Sequence, residues 1–186
     1  MNRLLSSPEA RLAVIAVVVF VVMAVLSPDR FLSVQNITSM AFQFPEFAIL
    51  ALAMTVTMLT GGIDLSVVGV ANFTAVVAAM ILTRFAGPDA TGMEAALWIA
   101  AAVAASMALG LVAGLFNGVL VAVLGLPAIL ATLGSGLIFT GLAVALTGGS
   151  AVMGFPTAIA WLGNGTAFGI PVPLILFALL AGGLSV

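Results

Sequence analysis

Two carboxylates stand where an apolar chain can least accommodate them. Asp64 lies in Gly61-Gly62-Ile63-Asp64-Leu65-Ser66, between a double-glycine break and a long apolar run, and Glu46 follows Pro45 inside another such run. A charge at the centre of a membrane helix costs about 2.5–3.5 kcal/mol on insertion scales, so each acid needs a partner or a task. For Asp64 two readings are open. As a helix cap, with Ser66 close behind it, the carboxylate accepts backbone N–H bonds and sits at the positive end of the helix dipole. As a functional acid it binds a proton or a coupling cation. The cap is the favoured reading. Glu46 divides in the same way between an interfacial and a cavity-lining position. Asn117 sits among apolar residues and must find hydrogen-bond partners within the protein.

Little other chemistry is available. Cys, His and Tyr are absent, and every basic residue is an arginine: Arg3, Arg11, Arg30 and Arg84. Without Cys there is no disulfide framework and no thiol nucleophile. Without His or Cys a zinc site is not expected, and no cofactor is expected either. A phosphate-cradling loop needs Gly-Lys-Ser/Thr, so any ATP hydrolysis must come from another polypeptide. Four arginines against six acids exclude a nucleic-acid surface. An intramembrane serine protease would need the missing His, and an aspartyl type a second membrane aspartate. Gly134-Ser135-Gly136 is no dinucleotide fingerprint, because Phe139 holds the third glycine position. The N-x-Ser/Thr matches at Asn36, Asn72 and Asn164 read as chance, since the middle one falls within an apolar run.

The elements that must hold these residues follow from hydropathy. Of 186 residues, 64% are hydrophobic and 5% charged, a balance that belongs in a bilayer. The expected fold is an all-α polytopic helical bundle with about six membrane spans, each of roughly 20 mainly apolar residues. They run from Ala10 to Leu26, Ser39 to Leu59, Leu65 to Thr83, Glu94 to Leu124 and Pro127 to Leu146, with an incomplete last span from Pro173 to Val186. Gly61, Gly62 and Pro127 are the helix breaks. Residues 1–186 are expected to form a single transmembrane domain, truncated at its C-terminal end. The first span is followed by Ser27-Pro28-Asp29-Arg30 rather than a small-x-small cleavage site, so it is expected to stay uncleaved. Arg3 and Arg11 place the N-terminus in the cytoplasm by the positive-inside rule. Alternation from there leaves the Gly/Pro-rich segment from Gly148 to Val172 outside, as the longest loop.

Ser106, Gly110, Gly114, Gly118 and Ala122 recur every four residues along the fourth span. Small residues let backbones approach closely, which is how helices associate in lipid, so a packed interface is expected there.

Three blocks carry a family resemblance: Gly61-Gly62-Ile63-Asp64-Leu65-Ser66-Val67, the run from Ala113 to Val121 through Asn117-Gly118, and Pro127-Ala128-Ile129-Leu130-Ala131-Thr132-Leu133-Gly134. In order and spacing they resemble the permeases of ribose-type ABC sugar importers, over residues 35–149. The family usually places Gly directly after Ser-Val, whereas here Val68 intervenes before Gly69. The resemblance implies a permease in the inner (plasma) membrane that passes a sugar or similar small polar solute. It also implies a second permease subunit, cytoplasmic ATPase subunits and a periplasmic or lipid-anchored solute-binding protein. Asp64, Ser66, Asn117 and Glu46 would then cap helices or line the path. The competing class is an ion-coupled secondary transporter or channel, in which Asp64 or Glu46 binds the ion.

Overall fold

The computed structural model describes residues 7–184; Arg3 lies outside them. The described residues are all-α but for one minimal hairpin. In order it forms α1 (Pro8–Leu26), α2 (Pro28–Phe31), α3 (Val34–Leu59), α4 (Val67–Ile81), α5 (Gly92–Gly118), α6 (Ala128–Thr147), α7 (Thr157–Asn164), the antiparallel strands β1 (Thr166–Ala167) and β2 (Ile170–Pro171), and α8 (Val172–Leu184). Among the described residues five helical stretches are long and apolar enough to cross a membrane: Pro8–Leu26, Val34–Leu59, Val67–Ala86, Gly92–Val123 and Ala128–Thr147. They match the expected spans in number and place, and the 13 residues of α8 stand where the incomplete last span was expected.

Two compact units divide the chain, one ending at Phe44 and the other starting at Pro45. The boundary falls inside α3, where Pro45 has no N–H to donate to the preceding turn. In the first unit Ser7 caps α1 by accepting the Ala10 N–H at 3.2 Å, with Pro8 at the first helical position. Phe20 meets Phe31 edge-to-face with centroids 5.1 Å apart, holding α2 against α1. Asn36 donates its amide to Phe31 O at 2.8 Å and fixes the entry to α3.

The second unit is organised around α4, which packs against both α5 and α6. Phe85 stacks on Trp98 with centroids 4.8 Å apart, and Ser106 donates its hydroxyl to Thr74 O at 3.1 Å, tying α5 to α4. Phe73 and Phe139, 5.8 Å apart, join α4 to α6. Deeper along that pair the backbones touch. A Cβ on Gly69 would strike the carbonyl of Gly136 and stand 3.0 Å from its Cα. Two spans end in a wide π-helical turn, Leu82–Ala86 after α4 and Val119–Val123 after α5, each followed within two residues by a glycine at positive φ, Gly87 and Gly125. Glycine takes that conformation without a Cβ penalty and lets the chain leave the helix.

The packed face of α5 differs from the expected one. Its buried residues are Ala95, Ala102, Ala113 and Asn117. Of the small-residue series, Ser106 and Gly110 are half-buried, while Gly114, Gly118 and Ala122 are exposed. A Cβ added at Gly110, Gly114 or Gly118 would meet nothing within 4 Å. Geometry explains the difference: at 3.6 residues per turn each four-residue step rotates about 40° around the axis, so five members sweep across nearly half the helix. Spacings of 7 and 11, as from Ala95 to Ala102 and on to Ala113, nearly cancel their rotation and stay on one face.

The expected long loop is also more ordered than a connection. Residues Thr157–Asn164 form a helix, and Phe168 at φ +54 and Gly169 at φ +78 turn the hairpin that leads into α8.

Candidate functional site

The site grows out of the break between α3 and α4. Gly61, at φ +83, takes the chain out of α3, and residues 62–66 then run without regular structure. Such backbone needs partners wherever water is scarce. Two side chains supply them. Asp64 Oδ1 accepts the Ser66 N–H at 2.8 Å and the Ser66 hydroxyl at 2.6 Å. Thr132 Oγ1, in the first turns of α6, accepts the Leu65 N–H at 3.0 Å and donates to Ala128 O at 2.7 Å, with Ile63 O 3.2 Å away. Pro127 sets up that turn as the residue just ahead of α6, at φ −55 and ψ 127.

From α5, Asn117 Nδ2 donates to Ser66 Oγ at 2.7 Å. The direction of this chain follows from its acidic end. A carboxylate only accepts, so Ser66 donates its proton to Asp64 and offers its oxygen lone pair to Asn117. The amide nitrogen therefore faces Ser66, and Asn117 Oδ1 is left buried with no partner among the described residues. Ser66 and Asn117 retain only 1% and 6% of their accessible surface, so this polar thread is interior, while Asp64 is half-buried.

Asp64, Ser66 and Asn117 line one cavity of about 280 Å³, together with Ile49, Leu50 and Ala53 of α3, Val67, Val70 and Ala71 of α4, and Gly110 and Gly114 of α5. Glu46 is not part of it; it is exposed on α3. Gly118 and Ala122 also lie off the lining. The cavity and the network use residues from separate blocks of the sequence, which α4 brings together by packing on α5 and α6. No side chain caps α4 itself; Asp64 acts one step ahead of the helix. It accepts the N–H of Ser66, the residue immediately before α4, by a bond spanning two residues. Among the described residues no group of three or more His, Cys, Asp or Glu could hold a metal ion.

Two participants carried no functional expectation from sequence. Thr132 is a lone hydroxyl inside an apolar block, five residues after the break at Pro127, and only its partner Leu65, just ahead of α4, gives it a role. Gly136 belongs to a glycine pair that looked like a failed nucleotide motif, yet it faces Gly69.

Comparison with known proteins gives the family of the chain. Residues 36–183 match the family described as branched-chain amino acid transport system / permease component. The D-allose transport system permease protein AlsC of Escherichia coli (strain K12) is 29% identical over 167 residues, covering 90% of this chain and 48% of that protein. The autoinducer 2 import system permease protein LsrC of Escherichia coli O9:H4 (strain HS) is 34% identical over 138 residues, 74% of this chain and 37% of that protein. LsrC of Salmonella paratyphi B (strain ATCC BAA-1250 / SPB7) is likewise 34% identical over 138 residues, 74% of this chain and 36% of that protein. The chain thus spans about half or less of the curated relatives it matches. No solved structure matches it. With its match covering most of the chain and its apolar spans in place, this multi-pass membrane protein belongs to the permease family of the branched-chain amino acid transport type, as the resemblance to sugar-importer permeases anticipated.

Proposed function

We propose that the chain is part of the transmembrane permease of an ATP-binding-cassette importer that passes a sugar or similar small polar solute across the bacterial inner membrane. The family match over residues 36–183 carries this reading, and relatives named for D-allose and autoinducer 2 direct it toward small polar solutes. The chain holds no lysine and hence no phosphate-binding loop, so a separate subunit hydrolyses ATP. Partners of this kind are a second permease subunit, cytoplasmic ATPases and a solute-binding protein on the outer side, with lipid around the spans. The N-terminus lies in the cytoplasm, and residues 1–186 act as one permease domain. In the assembled permease, Gly118 and Ala122, which lie off the cavity, offer a small-residue surface to a neighbouring helix. Glu46, exposed on α3, gives an ion-coupled mechanism no support.

The test is uptake of radiolabelled D-allose, D-ribose and D-glucose into proteoliposomes holding the full-length permease, its ATPase and its binding protein. Uptake should require Mg-ATP and vanish when the phosphate-loop lysine of the ATPase is replaced. Uptake that follows an ion gradient without ATP would overturn the proposal.

A further inference from the structure

We propose that the cavity beside Asp64 is a binding subsite for a neutral polyhydroxylated solute, with Asp64 Oδ2 as the acceptor for its hydroxyl donors. The proposal rests on the permease reading above and assigns the solute a place within it. Three observations carry it.

First, the network consumes only one oxygen of Asp64. Both bonds from Ser66 reach Oδ1, so Oδ2 has no partner among the described residues, and Asp64 lines the cavity half-buried. Second, Asn117 lines the same cavity with its amide nitrogen held by Ser66, which extends the polar wall beyond Asp64. An open acceptor inside a protein costs free energy until a donor fills it. Such an acceptor at a cavity calls for an occupant that donates. Third, the rest of the lining is apolar, built from Ile49, Leu50, Val67 and Val70, with bare backbone at Gly110 and Gly114 where no Cβ intrudes.

These features select the chemistry. A hard cation takes about six to eight oxygen ligands, whereas this cavity offers one carboxylate among hydrocarbon walls. A sugar or polyol presents hydroxyl donors along its edge and C–H groups on its face, which suits the carboxylate on one wall and aliphatic side chains on the others. A volume of about 280 Å³ suits one small molecule of this kind. Ser66 already satisfies Oδ1, and the start of α4 lies beside it, so the carboxylate is held in place without a cationic side chain that would compete for Oδ2.

The chain has no cysteine, which allows a direct test. Gly110→Cys in the full-length permease, freed of any cysteine elsewhere, puts a thiol into open space in the lining; Leu111→Cys, 75% exposed on the same helix, is the control. The rate of labelling by a cationic methanethiosulfonate reagent is measured in membranes with and without D-allose, D-ribose, D-glucose, glycerol or sodium chloride. The expected result is labelling at Gly110→Cys well above that at Leu111→Cys, slowed several-fold by at least one sugar and unaffected by sodium. Asp64→Asn also removes the charge that draws in the cationic reagent, so it is read against its own sugar-free rate, and it should raise the sugar concentration for half-protection roughly tenfold, the loss of one hydrogen bond to a charged group. Should Asp64→Asn fail to fold, Gly114→Val, which fills open space on the lining, decides instead and should weaken protection likewise. Equal labelling of the two cysteines, protection by sodium instead of sugar, or sugar protection indifferent to the deciding variant would overturn the subsite. ATP-driven uptake without protection by any sugar would also overturn it and leave the permease reading standing. Sugar protection with uptake driven by an ion gradient would overturn the importer reading and leave the subsite.

Discussion

Gly69 and Gly136 meet backbone to backbone: a Cβ on Gly69 would lie 3.0 Å from the Cα of Gly136, and one on Gly136 would lie 3.1 Å from the Cα of Ser66. The contact brings α4 and α6 close enough for Thr132 to reach the irregular segment ahead of α4. The polar thread of the site therefore depends on two missing side chains.

Adding even one methyl at this crossing should be costly. Gly69→Ala and Gly136→Ala are each expected to destabilise the permease by about 1–3 kcal/mol, the usual range for overpacking. Gly118→Ala, with nothing within 4 Å of its Cβ, should be neutral within the chain or gain helix propensity of about 1 kcal/mol. Midpoints of thermal aggregation in detergent measure the difference; three equal midpoints would mean that the crossing is looser than its geometry.

Asp64 offers a separable test of its capping role. Asparagine retains an oxygen for the Ser66 N–H, while alanine does not. Loss of a cap costs about 0.5–2 kcal/mol. Asp64→Asn should therefore be recovered at parental yield, with the weaker sugar protection argued above, and Asp64→Ala at reduced yield by fluorescence-detected size exclusion. Parental yield of the alanine variant would remove the cap from its list of roles.

Thr132 is expected to behave as a strap across the break. Thr132→Val keeps the shape but leaves the Leu65 N–H without its acceptor, at a cost of about 1–3 kcal/mol, whereas Thr132→Ser keeps the bond. Amide exchange over residues 62–66 should speed up in the valine variant and stay slow in the serine variant. Identical exchange in both would show that the strap carries no load.

Orientation has its own experiment. A reporter active only in the cytoplasm should work when fused at residue 2 and fail when inserted after Gly165, between α7 and β1. The rule behind it counts arginines near the span ends, here Arg3 and Arg11. The reverse pattern would invert every loop assignment.

Span number and place were legible because they depend only on composition within a window: a bilayer demands runs of apolar residues, and breaks at Gly61-Gly62 and Pro127 separate them whatever packs nearby. The same local logic marked Asp64, Ser66 and Asn117, since polar groups among apolar ones need partners and each found one in another. Partner choice between helices was not legible in this way. The four-residue small series on α5 is periodic along the chain but drifts around the axis, so the buried face became Ala95, Ala102, Ala113 and Asn117 instead. Gly69 and Gly136 lie 67 positions apart, and Leu65 and Thr132 the same distance, so neither pair has any local signal. In lipid, where apolar contact gives little preference for one helix face over another, backbone proximity and hydrogen bonding decide the packing, and both are properties of the assembled helices.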